Sequence, residues 1–376
     1  MNNYLSISEY IIPFAISLFF GIIFTWLVRK LALKNRIIDQ AGQNNERKIH
    51  LQDTPLLGGL GIFLAMMVTT LIYVFLSDRL LGGYLLPKHL WAIFIGGGLI
   101  MIGGFLDDKF NLPPWKQIIW PILAVLAIIG GGIGVSYITN PLGGTYDLES
   151  ISIKLFEMNG LPYKLLLLAD FFTFFWLMGM MYTTKFLDGL DGLVSGITTI
   201  GAFVLFFLSL NQEVAQPETA LLSIIFAGSA LGFLFFNFHP AKVFLGEGGS
   251  LFTGFMLGVL SIISGAKIAT ALLIMGIPIL DVIWVIVRRA IIEKKSPFTT
   301  ADKKHLHFRL LNVGLSHRQA VLSLYFIAII FGSIALIFSG RQKVYALGVL
   351  LLFMLLLGGW VIYKSNQRGR IKQNEK

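Results

Sequence analysis

Long apolar runs separated by short polar connections recur along the whole chain. Eleven of these runs reach the roughly 17–25 residues that a helix needs to cross a bilayer. They are Tyr10–Val28, Leu56–Ser77, Leu90–Leu106, Gln117–Asn140, Leu165–Thr184, Leu193–Leu210, Thr219–Phe236, Ser250–Ala266, Ile268–Val287, Ala320–Gly340 and Val344–Tyr363. The pattern predicts an all-α polytopic membrane protein with about 11 transmembrane helices. The simplest partition is one transmembrane domain, 1–363, followed by a polar cytoplasmic tail, 364–376.

Composition agrees with this pattern. Of 376 residues, 56% are hydrophobic and only 13% are charged, and the mean hydropathy is +0.77. These values exclude a soluble globular protein. The chain has no cysteine, which excludes a disulfide framework, a thiolate metal site and a cysteine nucleophile.

The formal net charge of +10 is compatible with nucleic acid or anionic lipid as a partner, so the placement of the basic residues decides its meaning. Placing the amino terminus outside puts most of the 30 lysines and arginines on the cytoplasmic side, and the odd number of spans then puts the carboxyl terminus there too. Most of the acidic residues between spans and five of the six histidines fall on the same side. We therefore predict an active site at the cytoplasmic face.

The stretch TKFLDGLDG places Asp188 and Asp191 three residues apart between two apolar runs. Carboxylates so close to hydrocarbon usually mark an ion or substrate site. The two would share one face of a helix, or converge if the glycines form a tight turn. The alternative is a polar loop that only joins two membrane helices.

The stretch GGFLDDKFNLPPWK places Asp107 and Asp108 side by side where the third span leaves the membrane. Two adjacent carboxylates at a dry interface are not both easily ionised, which suits a general base or a metal ligand. The alternative is a solvated pair neutralised by Lys109.

The stretch FFNFHPAKVFLGEGGSLFTG brings together Asn237, a histidine, Phe244 and Glu247. Its glycines permit close backbone approach, and the following helix N-terminus favours anions such as phosphate. Glycines also serve helix packing in membranes, so only their polar neighbours make this segment a candidate site.

The stretch SPFTTADKKHLHFRLLNVGLSHR places His305, His307 and Arg309 on alternating positions. Such residues suit a transition metal, a diphosphate or a sugar. A basic loop lying on lipid head groups is the alternative. Asp281 lies seven residues before Arg288, roughly 10 Å inside the membrane exit at the helical rise, and could face the same site.

The ordered set FLDDKFNL, TKFLDGLDGLVSG, FNFHPAKVFLGEGGSLFTGF and HLHFRLLNVGLSHRQAVL resembles the polyprenyl-phosphate N-acetylhexosamine-1-phosphate transferases, relatives of the phospho-MurNAc-pentapeptide transferase. RKIHLQDTPLLGGLGIF supports the resemblance, which spans roughly residues 47–322. The resemblance implies catalytic roles for Asp107, Asp108, Asp188 and Asp191. It implies substrate binding by Lys48, Lys116, Asn237, Phe244, His305, His307 and Arg309. It also implies a Mg²⁺ ion, with Mn²⁺ as the alternative, held by Glu247 and Asp188.

Four positions depart from the family pattern. Glu247 stands where the family usually has Asp, and Lys185 where it usually has Asn. Phe308 replaces a histidine, and Leu56 replaces an arginine. Glutamate can still coordinate Mg²⁺ with a longer reach, but a protonated lysine cannot be a ligand.

The resemblance implies transfer of HexNAc-1-phosphate, with GlcNAc-1-phosphate as the first candidate, from a UDP-sugar to undecaprenyl phosphate with release of UMP. Such a reaction starts a cell-envelope glycan such as teichoic acid or lipopolysaccharide at the plasma or inner membrane. The partners are then two phosphorylated substrates and the bilayer, with no nucleic acid; a homodimer stays open. The alternatives are a transporter or lipid flippase, and a catalytically altered regulatory homologue. Transporters usually place such acids near the bilayer midplane, in helices of two repeated halves. Here the acids cluster at loop ends on one side and the sequence shows no repeat, which disfavours transport.

Overall fold

The structure is a computed structural model that describes residues 7–40, 53–77, 79–81, 83–140, 144–158, 161–212, 214–265, 268–294 and 305–374. Its helices are α1 (Ile7–Lys34), α2 (Gly58–Leu76), α3 (Pro87–Phe110), α4 (Pro114–Gln117), α5 (Ile119–Gly130), α6 (Leu167–Leu187), α7 (Leu193–Leu210), α8 (Pro217–Asn237), α9 (Gly246–Ile263), α10 (Ile268–Ile274), α11 (Gly276–Val287), α12 (Leu306–Val313), α13 (His317–Ile337) and α14 (Arg341–Asn374). A π-helical turn, Arg288–Ile292, continues α11.

The prediction of a multi-pass membrane protein is confirmed. Nine helices of the described residues are long and apolar enough to cross a bilayer, and α10 with α11, bent by 78°, would add a tenth. The bend falls at the start of α11, where Pro278 occupies the first turn. Proline lacks the N–H that would continue the ladder of α10 into α11, and is tolerated in a first turn. The exact count of eleven is not confirmed.

The predicted fourth span, Gln117–Asn140, is shorter than expected. It corresponds to α4 and α5, which together cover Pro114–Gly130. A run of three glycines, residues 130–132, ends α5, since glycine is a poor helix former.

Strands replace part of the predicted all-α chain. Three two-stranded antiparallel sheets form: β1 (Ile38–Asp39) with β2 (Thr54–Pro55), β3 (Tyr137–Thr139) with β4 (Thr145–Asp147), and β5 (Ser152–Met158) with β6 (Leu161–Leu166). The last two hairpins cover most of the connection between the fourth and fifth predicted spans, which the predicted topology places outside. The fifth span was predicted to begin at Leu165, but strand β6 extends to Leu166. Helix α6 therefore begins at Leu167.

The carboxyl-terminal residues predicted as a polar tail continue α14 as far as Asn374. The division into 1–363 and 364–376 stays a prediction.

Helices α7, α8 and α9 form the centre of the bundle, since most of their residues are buried on every side. Helices α1 and α14 expose large apolar side chains such as Phe19 and Leu352. Helices that are apolar all round belong either in a core or in lipid, so α1 and α14 are suited to face the bilayer.

The amino-terminal end of α9 is the point where α2 and α3 converge. A Cβ added at Gly104 of α3 would overlap the backbone of Gly248, so only glycine permits this crossing. On the other side, Gly59 N donates to Leu245 O at 2.8 Å, and Phe244 N donates to Pro55 O at 2.9 Å. These contacts place the end of α3 beside the first turn of α9.

Candidate active site

The predicted acid pair lies in the last turn of α3, not after it, because the helix continues to Phe110. Asn111 adopts a left-handed conformation and Pro113 follows, which ends the helix there. Adjacent helical residues point about 100° apart, so the two acids have different partners. Asp107 Oδ1 accepts from Leu112 N at 2.9 Å. Asp108 Oδ1 accepts from Glu247 N, in the first turn of α9, at 3.1 Å.

Asp188 ends α6 and enters the same cluster. Asp108 lies within electrostatic reach of Asp107, Asp188 and Glu247. Asp188 is exposed to solvent, although many protein atoms surround its carboxylate and reduce its hydration. This desolvation, then the Glu247 and Asp191 carboxylates, raise the pKa of Asp188 to about 7. Among the described residues no hydrogen bond reaches its carboxylate, so Asp188 is available to a ligand.

Asp191 takes a different set of partners, although it lies only three residues further on. Its Oδ2 lies 2.7 Å from Nδ1 of His239 and accepts from Ala241 N at 3.1 Å. The turn between α6 and α7, with Gly192 at a φ of 79°, separates the two acids. The motif therefore supplies one acid to the carboxylate cluster and one to a neighbouring histidine.

Lys185 joins the cluster from the turn of α6 before Asp188. Its Nζ forms an ion pair with Glu247 Oε1 at 2.5 Å and donates to Gln117 Oε1 at 3.1 Å. Gln117 Nε2 in turn donates to Asp107 Oδ1 at 3.0 Å. Nothing in the local sequence around Gln117 selects it, and only the fold places its side chain between Asp107 and Lys185.

The histidine segment is anchored to α11 by Asp281. Asp281 Oδ2 lies 2.8 Å from Nδ1 of His305, and Oδ1 accepts from Leu306 N at 2.8 Å. The acid thus satisfies the first turn of α12. The backbone N of Arg309 donates to His305 O at 3.1 Å.

His307 is almost completely buried, with 1% of its surface accessible. Its side chain lies against Gly189, where any Cβ would overlap the ring. Neither ring nitrogen has a hydrogen-bond partner among the described residues. Burial lowers the pKa of His307 to about 3, against the opposing effect of Asp281. A neutral imidazole with open nitrogens therefore lies directly behind the DGLDG turn.

Asn237 and Phe244 connect parts of the site. Asn237 Oδ1 accepts from Gly192 N at 3.1 Å and Ser195 Oγ at 2.8 Å, and Nδ2 donates to Val243 O at 3.0 Å. These bonds join the end of α8 to the start of α7. Phe244 is partly buried in the connection before α9. Contact of either residue with uracil stays a prediction.

Two lysines were predicted to bind substrate, and the structure places only one of them. Lys48 lies outside the described residues. Lys116 is exposed, and its Nζ lies 5.1 Å from the centre of the Trp115 ring. Substrate binding by Lys116 stays a prediction, because it requires a substrate that extends from the carboxylate cluster to this exposed lysine.

A second group, formed by Asp191, His239 and His317, was not selected from the sequence. One potential ligand atom of each lies within 4.8 Å of the others. The two rings are stacked, however, with centres 4.0 Å apart and planes 13° apart. Nitrogen lone pairs lie in the ring plane, so those of parallel rings do not converge on one ion. The group instead clamps the α6–α7 turn, the α8–α9 connection and α13 together.

The carboxylate cluster fits the ion that the resemblance implies. Mg²⁺ and Mn²⁺ prefer oxygen ligands, and Asp188 and Glu247 offer them at one place. The ion pair with Lys185 engages Oε1 of Glu247, while Oε2 has no hydrogen bond among the described residues. Glu247 and Asp188 are therefore the side chains suited to hold a divalent cation.

Fold and site together define a multi-pass membrane protein with a carboxylate-rich site at one end of its helix bundle. The family model described as glycosyl transferase family 4 matches residues 90–265. A Bacillus subtilis protein named probable undecaprenyl-phosphate N-acetylglucosaminyl 1-phosphate transferase is 30% identical over 356 residues, which covers 92% of this chain and 90% of that protein.

Two further relatives extend the comparison. A decaprenyl-phosphate N-acetylglucosaminephosphotransferase of Mycolicibacterium smegmatis is 32% identical over 84% of this chain and 79% of its own length. A phospho-N-acetylmuramoyl-pentapeptide-transferase of Listeria monocytogenes is 28% identical over 88% of this chain and 97% of its own length. The chain belongs to glycosyl transferase family 4, which confirms the resemblance.

Proposed function

We propose that this protein transfers an N-acetylhexosamine-1-phosphate, with GlcNAc-1-phosphate as the first candidate, from a UDP-sugar to undecaprenyl phosphate. The products are UMP and a lipid diphosphate sugar that starts a cell-envelope glycan. The reaction takes place at the cytoplasmic face of the plasma membrane, where a soluble nucleotide sugar and a lipid can meet.

The observation that supports this proposal most directly is the near full-length similarity to the Bacillus subtilis relative. The site geometry adds to it: Asp107, Asp108, Asp188 and Glu247, distant in sequence, gather at one end of the bundle. In phosphoryl transfer the protein mainly positions the reactants and neutralises their charge. The carboxylate cluster and Lys185 contain groups suited to both tasks.

Asp108 is the side chain best placed to accept the proton of the lipid phosphate. It borders a small apolar cavity between α2, α3 and α9, lined by Leu57, Leu60, Met101 and Phe105 among others. The cavity, about 20 Å³ in volume, is too small for an isoprenoid chain, but a chain lying against its apolar rim would place its phosphate beside the carboxylate. A deprotonated phosphate oxygen attacks the sugar-bearing phosphorus in line. The bond from this phosphorus to the bridging oxygen breaks, and UMP leaves.

A second scheme uses an aspartate as the nucleophile. The carboxylate attacks the sugar-bearing phosphorus, UMP leaves, and the lipid phosphate then displaces the carboxylate. In both schemes Glu247 and Asp188 would hold the Mg²⁺ ion, which when bound would neutralise charge on the diphosphate. Incubation without acceptor lipid distinguishes the schemes, because only the covalent one releases one UMP per enzyme.

The experiment that tests the function uses purified protein, undecaprenyl phosphate and a panel of UDP-sugars, with and without Mg²⁺. We expect UMP release with at least one UDP-N-acetylhexosamine. No UMP from any donor would favour a regulatory homologue, and movement of substrate across a liposome membrane would favour transport.

Two variants test the residue assignment. Asp108→Asn and Asp188→Asn should each lower kcat by about 10²-fold or more, since each removes a carboxylate from the reacting centre. Glu149→Gln, a change of an exposed acid in the connection before β5, is the control and should retain activity. Near-normal turnover in both aspartate variants would refute the assignment.

A further inference from the structure

Lys185 places a cation inside the carboxylate cluster. Its side chain has 20% of its surface accessible, and that of its partner Glu247 has 16%. An ion pair so far removed from water is screened less than a surface pair. The lysine is therefore a fixed part of the charge distribution in the site.

The contacts of the ammonium group leave one donor unused. An ammonium has three N–H donors, and two of them go to Glu247 Oε1 and Gln117 Oε1. The Tyr182 ring lies near the ammonium group, with its centre 5.5 Å from Nζ. No acceptor for the third donor lies among the described residues. An anion entering the cluster could take that donor.

Lys185 also contacts the side chain best suited to hold a metal. A positive charge 2.5 Å from Glu247 Oε1 competes with a divalent cation for the same carboxylate. Lys185 and Glu247 are therefore in direct contact where the metal is predicted to bind.

We infer that Lys185 is a fixed cation in the binding site for the UDP-sugar. It binds the diphosphate of the UDP-sugar, and it weakens the binding of a divalent metal in the absence of nucleotide. The inference rests on the proposed function for the identity of the diphosphate. Its effect on metal binding is measurable without any turnover. The Glu247 side chain, which is longer than that of an aspartate, can contact the ammonium group with Oε1 and still offer Oε2 to a metal ion.

The first test measures Mn²⁺ binding by electron paramagnetic resonance in nucleotide-free protein. Lys185→Asn should bind Mn²⁺ about 10-fold more tightly than the parent, because it removes a competing charge. Lys185→Arg should stay within about threefold of the parent, since it keeps the charge. Lys109→Asn is the matched control: this exposed lysine has its Nζ near the Phe105 and Phe110 rings, and screening should limit its effect to about threefold. Lys185→Gln replaces Lys185→Asn if the latter does not fold.

The second test measures binding of UDP in the presence of EDTA. The parent should bind UDP about 10-fold more tightly than Lys185→Asn, and Lys185→Arg should retain most of that affinity. The inference is wrong if Lys185→Asn binds Mn²⁺ with the same affinity as the parent. It is also wrong if Lys185→Asn binds UDP in EDTA with the same affinity as the parent. A parent that releases no UMP from any donor would instead refute the proposed function and leave the Mn²⁺ result readable.

Discussion

At the residue scale, one carboxylate of the site differs from its neighbours in having no hydrogen bond to the part of the chain that the structure describes. Asp107 and Asp191 each accept two hydrogen bonds, whereas Asp188 accepts none among the described residues. A desolvated acid without donors favours its protonated form. A bound cation would therefore favour the charged form of Asp188.

This difference predicts a pH effect on stability. The pKa of Asp188 is about 7 in the folded state and near 3.9 when unfolded. The folded protein then binds more protons than the unfolded chain between about pH 4 and 7, so its stability falls as pH rises through that window. In EDTA, the melting temperature of Asp188→Asn should fall less from pH 5 to pH 8 than that of the parent. Asp147→Asn, an exposed acid, should behave as the parent does; equal slopes for all three proteins would contradict the prediction.

At the element scale, the cluster depends on the crossing of α3 with α9. Gly104 permits backbone contact with Gly248, and Asp108 lies one turn further along the same face of α3. That spacing brings Asp108 to the backbone N of Glu247. A wider crossing would break this hydrogen bond without altering any charged residue.

Gly104→Ala tests the crossing. The added methyl group should destabilise the protein by about 1–3 kcal/mol, as overpacking does, and should lower transferase activity by separating Asp108 from α9. Gly98→Ala on the same helix is the control, since nothing lies within 4 Å of its added Cβ. Melting temperature and UMP release measure both effects. A Gly104→Ala protein that equals Gly98→Ala in both would show that the crossing tolerates a side chain.

At the scale of the whole molecule, the gathered acids and histidines occupy one end of the bundle, while the two hairpins β3–β4 and β5–β6 belong to a connection predicted for the opposite side. The distribution of lysine and arginine predicts that the site faces the cytoplasm. This orientation is a prediction that labelling can test.

The absence of cysteine makes that test direct, because single cysteines can be introduced without removing others. Tyr146 and Trp115 are 60% and 64% exposed and lie on the predicted outer and inner sides. In intact right-side-out vesicles, a membrane-impermeant maleimide should label Tyr146→Cys but not Trp115→Cys. Permeabilised vesicles should label both. The reverse pattern in intact vesicles would invert the assigned topology.

How much the sequence could predict differs between features. The acids of DGLDG and LDDK were recognisable because carboxylates next to apolar runs are rare. Gln117, His239 and His317 were not recognisable as partners, since their contacts join segments up to 126 residues apart along the chain, from Asp191 to His317. The shortened fourth span escaped detection because an apolar run does not reveal where glycines end its helix.

The sequence by itself determined that this chain is a multi-pass membrane protein, and it predicted which carboxylates and histidines take part in its chemistry. Hydropathy and the rarity of charge near hydrocarbon are local properties, and they can be read residue by residue. Only the tertiary structure decided which of those groups meet. The Lys185–Glu247 ion pair and the Asp108–Glu247 hydrogen bond depend on helix crossings, and crossings depend on backbone approach between segments that are distant along the chain.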